Sequence, residues 1–124
     1  MAAIKGKDTG PELTVRKAIH AAGFRFRLHR RDLPGKPDLV LPRYGVAIFV
    51  HGCFWHMHKN CPDATVPKTN TDFWVSKLSK NVVRDERNKD QLIKMGWRVY
   101  VIWECELNSH PKQWVLDFQK FLNV

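Results

Sequence analysis

Apolar and polar positions alternate along the chain in a way that marks out helices and strands in turn. Thr9-Gly10-Pro11-Glu12 has the form of a capping box, with Thr9 as N-cap, a proline in the first turn and Glu12 at N3, so a helix starts here. Leu13, Ala18, Ile19 and Ala22 share a face of it, and Gly23 is its stop. Phe24-Arg25-Phe26-Arg27-Leu28 then alternates apolar with basic residues, as a half-buried strand does, leaving Arg25 and Arg27 on an open face. Leu33-Pro34-Gly35-Lys36-Pro37 is turn chemistry, and Asp38-Leu39-Val40-Leu41 reads as a second strand. After the turn Pro42-Arg43-Tyr44-Gly45, the run Val46 to Val50 is too apolar for either face to be wet, which predicts a central third strand.

Cys61 to Thr69 has little periodicity and is expected to be a loop. A long polar helix is predicted from Thr71 to Met95, with Phe73, Trp74, Leu78, Val82, Leu92 and Ile93 on its apolar side and Gly96 ending it. Trp97 to Trp103 is the clearest strand. Pro111 opens a last amphipathic helix through Trp114, Val115, Phe118, Phe121 and Leu122. Burial is expected for Trp97, Trp103 and Trp114. The order α-β-β-β-α-β-α describes a mixed sheet flanked by helices, an α/β fold.

At 124 residues the chain fits one domain spanning 1–124, with a core of modest size. No apolar run is long enough to cross a bilayer, and Met1-Ala2-Ala3-Ile4-Lys5-Gly6 is followed by no signal-peptide h-region, so a cytoplasmic protein without membrane partners is expected. The net charge of +9 favours a polyanionic partner, DNA or RNA ahead of an anionic membrane face, while charge alone also fits a purely solubilising role. No heptad or apolar strip argues for self-association, so a monomer is the default. The odd count of three cysteines argues against a disulfide framework and towards metal binding.

The chemistry concentrates just after the third strand. His51-Gly52-Cys53-Phe54-Trp55-His56-Met57-His58-Lys59-Asn60-Cys61 holds three histidines and two cysteines. Cys53, His58 and Cys61 offer three ligands. Cys105, just past the fourth strand, becomes the fourth if strands three and four are parallel neighbours, and a closed Cys3His set is a structural Zn²⁺ site. His56 competes with His58 for that place on spacing alone.

A second grouping starts from Gly35-Lys36-Pro37-Asp38. Many Mg²⁺-dependent nucleases set an aspartate on one strand and Glu-x-Lys on the next, so that acids and a lysine converge on one phosphate. Here the triplet is Phe49-Val50-His51. The metal then depends on Asp38, a backbone carbonyl near Val50, water and phosphate, and proton transfer falls to histidine. Glu12 is either a helix cap or an aid to the same site. Phe54, Trp55 and Trp74 are candidates to wedge between base steps. Asn81, Arg84 and Asp85, within one helical turn, either support the site or grip phosphate.

Together these residues resemble the very-short-patch repair endonucleases, bacterial enzymes that nick DNA beside a T:G mismatch. The resemblance rests on Lys7-Asp8-Thr9 with Glu12, on Leu33 to Asp38, on Val46 to His56, on Phe73-Trp74 with Lys80-Asn81-x-x-Arg84-Asp85, and on Gly96-Trp97-Arg98-Val99 to Trp103-Glu104-Cys105. It implies a restriction-endonuclease-like fold and a double-stranded DNA substrate, with Mg²⁺ held by Asp38 and the Val50 carbonyl. It further implies His56 as the catalytic acid/base, assisted by His51 and Glu12, and structural Zn²⁺ on Cys53, His58, Cys61 and Cys105. Phe54, Trp55 and Trp74 become the wedge, and Asn81 and Arg84 DNA contacts. The implied reaction is a nick on the 5′ side of the mismatched thymine, initiating repair of deaminated 5-methylcytosine, with repair-pathway proteins as further partners. Family members usually carry a basic N-terminal arm ahead of the segment matching Met1-Ala2-Ala3-Ile4. The competing readings are a zinc-stabilised DNA-binding module without turnover and a nuclease of broader mismatch or restriction specificity.

Overall fold

The computed structural model describes residues 10–28 and 30–122. Thr9 of the capping box and the Lys7-Asp8-Thr9 motif lie outside the described residues. The elements are α1 (Gly10–Ala21), β1 (Arg27–Leu28), β2 (Leu39–Leu41), β3 (Val46–His51), α2 (Thr71–Lys94), β4 (Arg98–Trp103), α3 (Glu104–Ser109) and α4 (Gln113–Leu122). They form a mixed sheet in the order β1-β2-β3-β4, antiparallel except for the parallel β3/β4 pair. Among the described residues no helix is long and apolar enough to cross a membrane.

Alternation along the strands loads both faces. Leu39, Leu41, Val46, Ile48 and Ile102 pack with Val15 and Ile19 of α1 and Trp114, Phe118 and Leu122 of α4. Val40 and Ala47, one residue out of phase, pack on the other face with Leu33 and Leu92, the latter from α2. Helices thus cover both sides of β2 and β3, which is why these strands are apolar throughout. Truncating Phe118, 1% exposed at the centre of the larger cluster, to alanine costs about 3–5 kcal/mol.

Several expectations are corrected. The first strand shrinks to Arg27–Leu28, both exposed, because Phe24 packs edge-on against Tyr44 and Phe118 instead of entering a ladder. Of the apolar side expected for the long helix only Leu78 and Leu92 are buried, while Phe73 and Ile93 are exposed. The reason is length: the 24 residues of α2 run roughly 36 Å, whereas the six-residue strands span roughly 20 Å, so part of the helix overhangs the sheet. Trp97 and Trp103 are half-buried, and only Trp114 is fully enclosed. A helix not expected from the sequence, α3, follows β4 directly; the Glu106 carboxylate accepts the Trp103 N–H at 3.2 Å and closes its first turn. Pro111 precedes the last helix, which begins at Gln113. Strand three extends to His51, and Asp38 stands just ahead of β2, donating its N–H to the Ile48 carbonyl at 2.9 Å.

Candidate active site and metal centre

Because β3 and β4 are parallel with His51 opposite Trp103, both strands discharge at one edge of the sheet. There the segment after His51 winds tightly: His56 N–H donates to Gly52 carbonyl at 3.2 Å, Met57 N–H to Phe54 carbonyl at 3.3 Å and His58 N–H to Cys53 carbonyl at 3.0 Å. Met57 adopts a left-handed φ of 48°, which ends the turn and sends His56 and His58 to different places.

His58 returns to the cysteines. Donor atoms of Cys53, His58, Cys61 and Cys105 lie within 4.8 Å of one another, with His58 Nδ1 3.4 Å from Cys105 Sγ. A tetrahedral zinc with ordinary Zn–S and Zn–N bonds sets such atoms about 3.5 Å apart. The His58 ring lies flat on the Trp103 indole, with 4.1 Å between centroids and 9° between planes, which fixes its orientation. Burial raises the Cys53 thiol to about 12, and the Cys105 thiol is also raised, first by burial. Crowded thiols, with Cys53 buried and Cys61 and Cys105 half-buried, hold their protons unless a cation replaces them. The cluster is therefore a donor set able to hold a metal.

On the other side of the turn, a cleft of about 1400 Å³ contains Glu12, Asp38, His51, His56 and Asp85. Asp38 accepts the Val50 N–H at 2.7 Å. Its carboxyl is raised to about 7, chiefly by burial; the Val50 N–H works against this, and the neighbouring Glu12 carboxyl adds to it. Glu12 itself is 4% exposed and pairs with Arg16 at 3.4 Å. Two carboxyls facing one another, Glu12 buried and Asp38 half-buried, fit a divalent cation, whose charge removes their repulsion.

His51 and His56 stack with 3.7 Å between centroids and 2° between planes. Their lone pairs, lying in parallel planes, do not converge on one ion, so the His51–His56–Asp85 group suits proton handling better than metal binding. His56 Nδ1 is 2.5 Å from Asp85 Oδ2. His51 is lowered to about 4, first by burial and then by His56, and its buried Nδ1 has no hydrogen-bond partner among the described residues.

Phe54, Trp55 and Trp74 pack edge-on or tilted, with centroids 5.1 to 6.0 Å apart, and Phe73 extends the group by an edge contact of 5.3 Å to Trp74. These aromatics are half-buried against one another, Phe73 excepted at 59% exposure. The Asn81 amide donates to the Trp55 carbonyl at 3.0 Å, and exposed Arg84 donates to Asn81 Oδ1 at 3.0 Å. One helix thus holds consecutive loop residues: Asn81 holds Trp55, and Asp85, one turn on, holds His56.

The candidate residues thus gather in the thiol–imidazole cluster, in the cleft and in an aromatic group of which Trp55 lines the cleft. The specific partnership of Asp85 with His56 has no local signature. Its only trace in the sequence is the i, i+4 spacing of Asn81 and Asp85, which sets both on one helical face. The support of His58 by Trp103 depends on strand register and has no sequence signal.

The family model described as DNA mismatch endonuclease Vsr matches residues 1–63. The "Type II nicking enzyme V.XorIIP" of Xanthomonas oryzae pv. oryzae is 48% identical over 109 residues, covering 88% of this chain and 79% of that protein. The "Type II nicking enzyme V.NmeAIP" of Neisseria meningitidis is 47% identical over 109 residues, 88% of this chain and 77% of that protein. The "DNA mismatch endonuclease Vsr" of Escherichia coli is 44% identical over 112 residues, 90% of this chain and 71% of that protein.

Proposed function

The chain belongs to the Vsr family of DNA mismatch endonucleases, and from that premise we propose that its cleft nicks duplex DNA on the 5′ side of the thymine in a T:G mismatch, beginning very-short-patch repair of deaminated 5-methylcytosine. The observation that carries this reading is the meeting of an acid pair, half-buried Asp38 with buried Glu12, and a carboxylate-held imidazole, His56 with Asp85, in one cleft.

In this reading the fold is restriction-endonuclease-like, with its acid at the start of β2. Asp38 and the Val50 carbonyl hold Mg²⁺. The N–H and C=O of a strand residue point to the same side, so the Val50 carbonyl faces Asp38, as its N–H does. A Mg²⁺ ion held there would supply Lewis-acid chemistry, offsetting negative charge on the phosphate oxygens and acidifying a water. His56, its Nδ1–H fixed by Asp85, presents Nε2 to accept the proton of the attacking water. His51 buttresses that ring from behind, and Glu12 orients water beside Asp38. Attack at phosphorus opens the P–O3′ bond, leaving a 5′ phosphate and an O3′ that takes a proton from water to become the 3′ hydroxyl.

Cys53, His58, Cys61 and Cys105 would hold Zn²⁺, which would tether the loop that carries both His56 and the aromatic wedge of Phe54 and Trp55, with Trp74 beside them. Arg84 lines the cleft from α2 as a phosphate contact, with Asn81 at its side. The test is a labelled duplex bearing one T:G mismatch, incubated with zinc-replete protein and Mg²⁺. One nick 5′ to the mismatched thymine is expected, and binding without any nick overturns the reading.

A further inference from the structure

The segment just ahead of Asp38 is held in an uncommon conformation. Lys36 N–H closes a turn onto the Leu33 carbonyl at 3.0 Å, with Gly35 at φ 75° and Lys36 itself at φ 49°. A Cβ on Gly35 would stand 2.9 Å from Asn88 Cβ and 3.1 Å from Phe49 Cε1, so the turn is pressed between α2 and β3 and only glycine fits there. Lys36 has no such excuse. A left-handed lysine is strained relative to the right-handed backbone, and glycine or asparagine bears that conformation more easily.

Lys36 is exposed and lines the cleft that contains Asp38, Glu12 and His56. Among the described residues it makes no ion pair, so its charge is not spent on a neighbouring carboxylate. The strand that carries the lysine of a Glu-x-Lys triplet in many nucleases here carries His51. That ring is buried, stacked on His56 and set edge-on to Trp103, and has no stem with which to follow a phosphate.

We propose that Lys36 is a phosphate-binding residue of the catalytic cleft, its ammonium contacting the scissile phosphate from the turn that leads into Asp38. The cation that the third strand lacks is supplied from the start of the second. The flexible four-carbon stem lets the ammonium follow the phosphate as negative charge builds on its oxygens, and the jammed Gly35 turn fixes where that stem begins. This proposal rests on the nuclease reading of the cleft.

The experiment measures single-turnover nicking of the T:G duplex at saturating zinc-replete enzyme with Mg²⁺, beside thermal melting, for Lys36→Asn, Lys36→Gly and Lys36→Arg. Asparagine and glycine suit a left-handed backbone, so their melting temperatures stay level or rise while the saturating rate falls on the order of 100-fold. Lys36→Arg keeps the charge and retains a rate within about tenfold of the wild type. An unchanged saturating rate in Lys36→Asn, with or without weaker duplex binding, overturns the contact with the scissile phosphate, as does a loss that merely tracks unfolding. Asp38→Asn in the same assay separates the two ideas: if it still cuts, the reading of the cleft fails, whatever Lys36 does.

Discussion

His56 Nδ1 and Asp85 Oδ2 lie 2.5 Å apart, across 29 residues of chain and two different elements. The carboxylate fixes which ring nitrogen carries the proton and leaves the other as a base. Asp85→Ala is expected to lower kcat about 100-fold or more with little change in KM. Single-turnover kinetics across pH check this, and equal losses of activity and duplex binding would count against a positioning role.

Asp38 carries a pH signature. Its folded value of about 7 lies above the ordinary aspartate value of 3.8, so the folded state binds the extra proton and metal-free stability declines as pH rises from about 4 through 7. Asp38→Asn keeps an acceptor for the Val50 N–H while removing the buried charge. The metal-free variant is therefore expected to melt higher than the wild type at pH 8, with the gap closing towards pH 4, and not to cut at any pH. Melting curves without divalent ions test the sign. Wild-type cutting at limiting Mg²⁺ should rise through about pH 7, as Asp38 loses its proton.

The opposite linkage holds at His51, whose value is lowered to about 4 from 6.5. Its burial as a neutral ring contributes stability that is complete above about pH 6.5 and is lost as pH falls towards 4. His51→Gln is expected to flatten the acid limb of the stability profile over that window, measured by denaturant unfolding at stepped pH.

Stripping metal from the protein tests the cysteine cluster as a metal site and should uncouple the cleft without touching Asp38. One zinc per chain is expected by elemental analysis, and Cys105→Ala is expected to abolish tight binding by opening the closed set. Chelated protein should lose nicking, and Mg²⁺ alone should not restore it, because the turn that positions His56 begins at Cys53. Full activity in metal-stripped enzyme supplied only with Mg²⁺ is the result that would contradict this.

Asn81 and Trp55 link α2 to the aromatic group through a single 3.0 Å hydrogen bond. Asn81→Ala removes about 1 kcal/mol of loop anchoring. Its expected effect is a larger loss of discrimination between T:G and matched duplexes than of global stability. Competition binding of the two duplexes, read beside thermal melting, decides it.

Much of this was legible in residue patterns alone. Strands two to four, the helices before and between them, and the ligand types at Cys53, Cys61 and Cys105 follow from local periodicity and spacing, which act over a few neighbouring residues. The aromatic pair after Cys53 is equally a local feature. What the sequence left open was every choice between equals. His56 and His58 are both within reach of Cys53, and only the left-handed turn at Met57 sends one to the thiols and the other to Asp85. Glu12 reads as a cap until α1 is packed on the sheet beside Asp38. Phe73 and Ile93 fit an apolar helical face, yet stay exposed because the helix outruns the strands beneath it. Composition and period specify what a residue prefers locally; which distant partner it meets is set by strand register and helix placement, long-range properties that exist only once the core has closed.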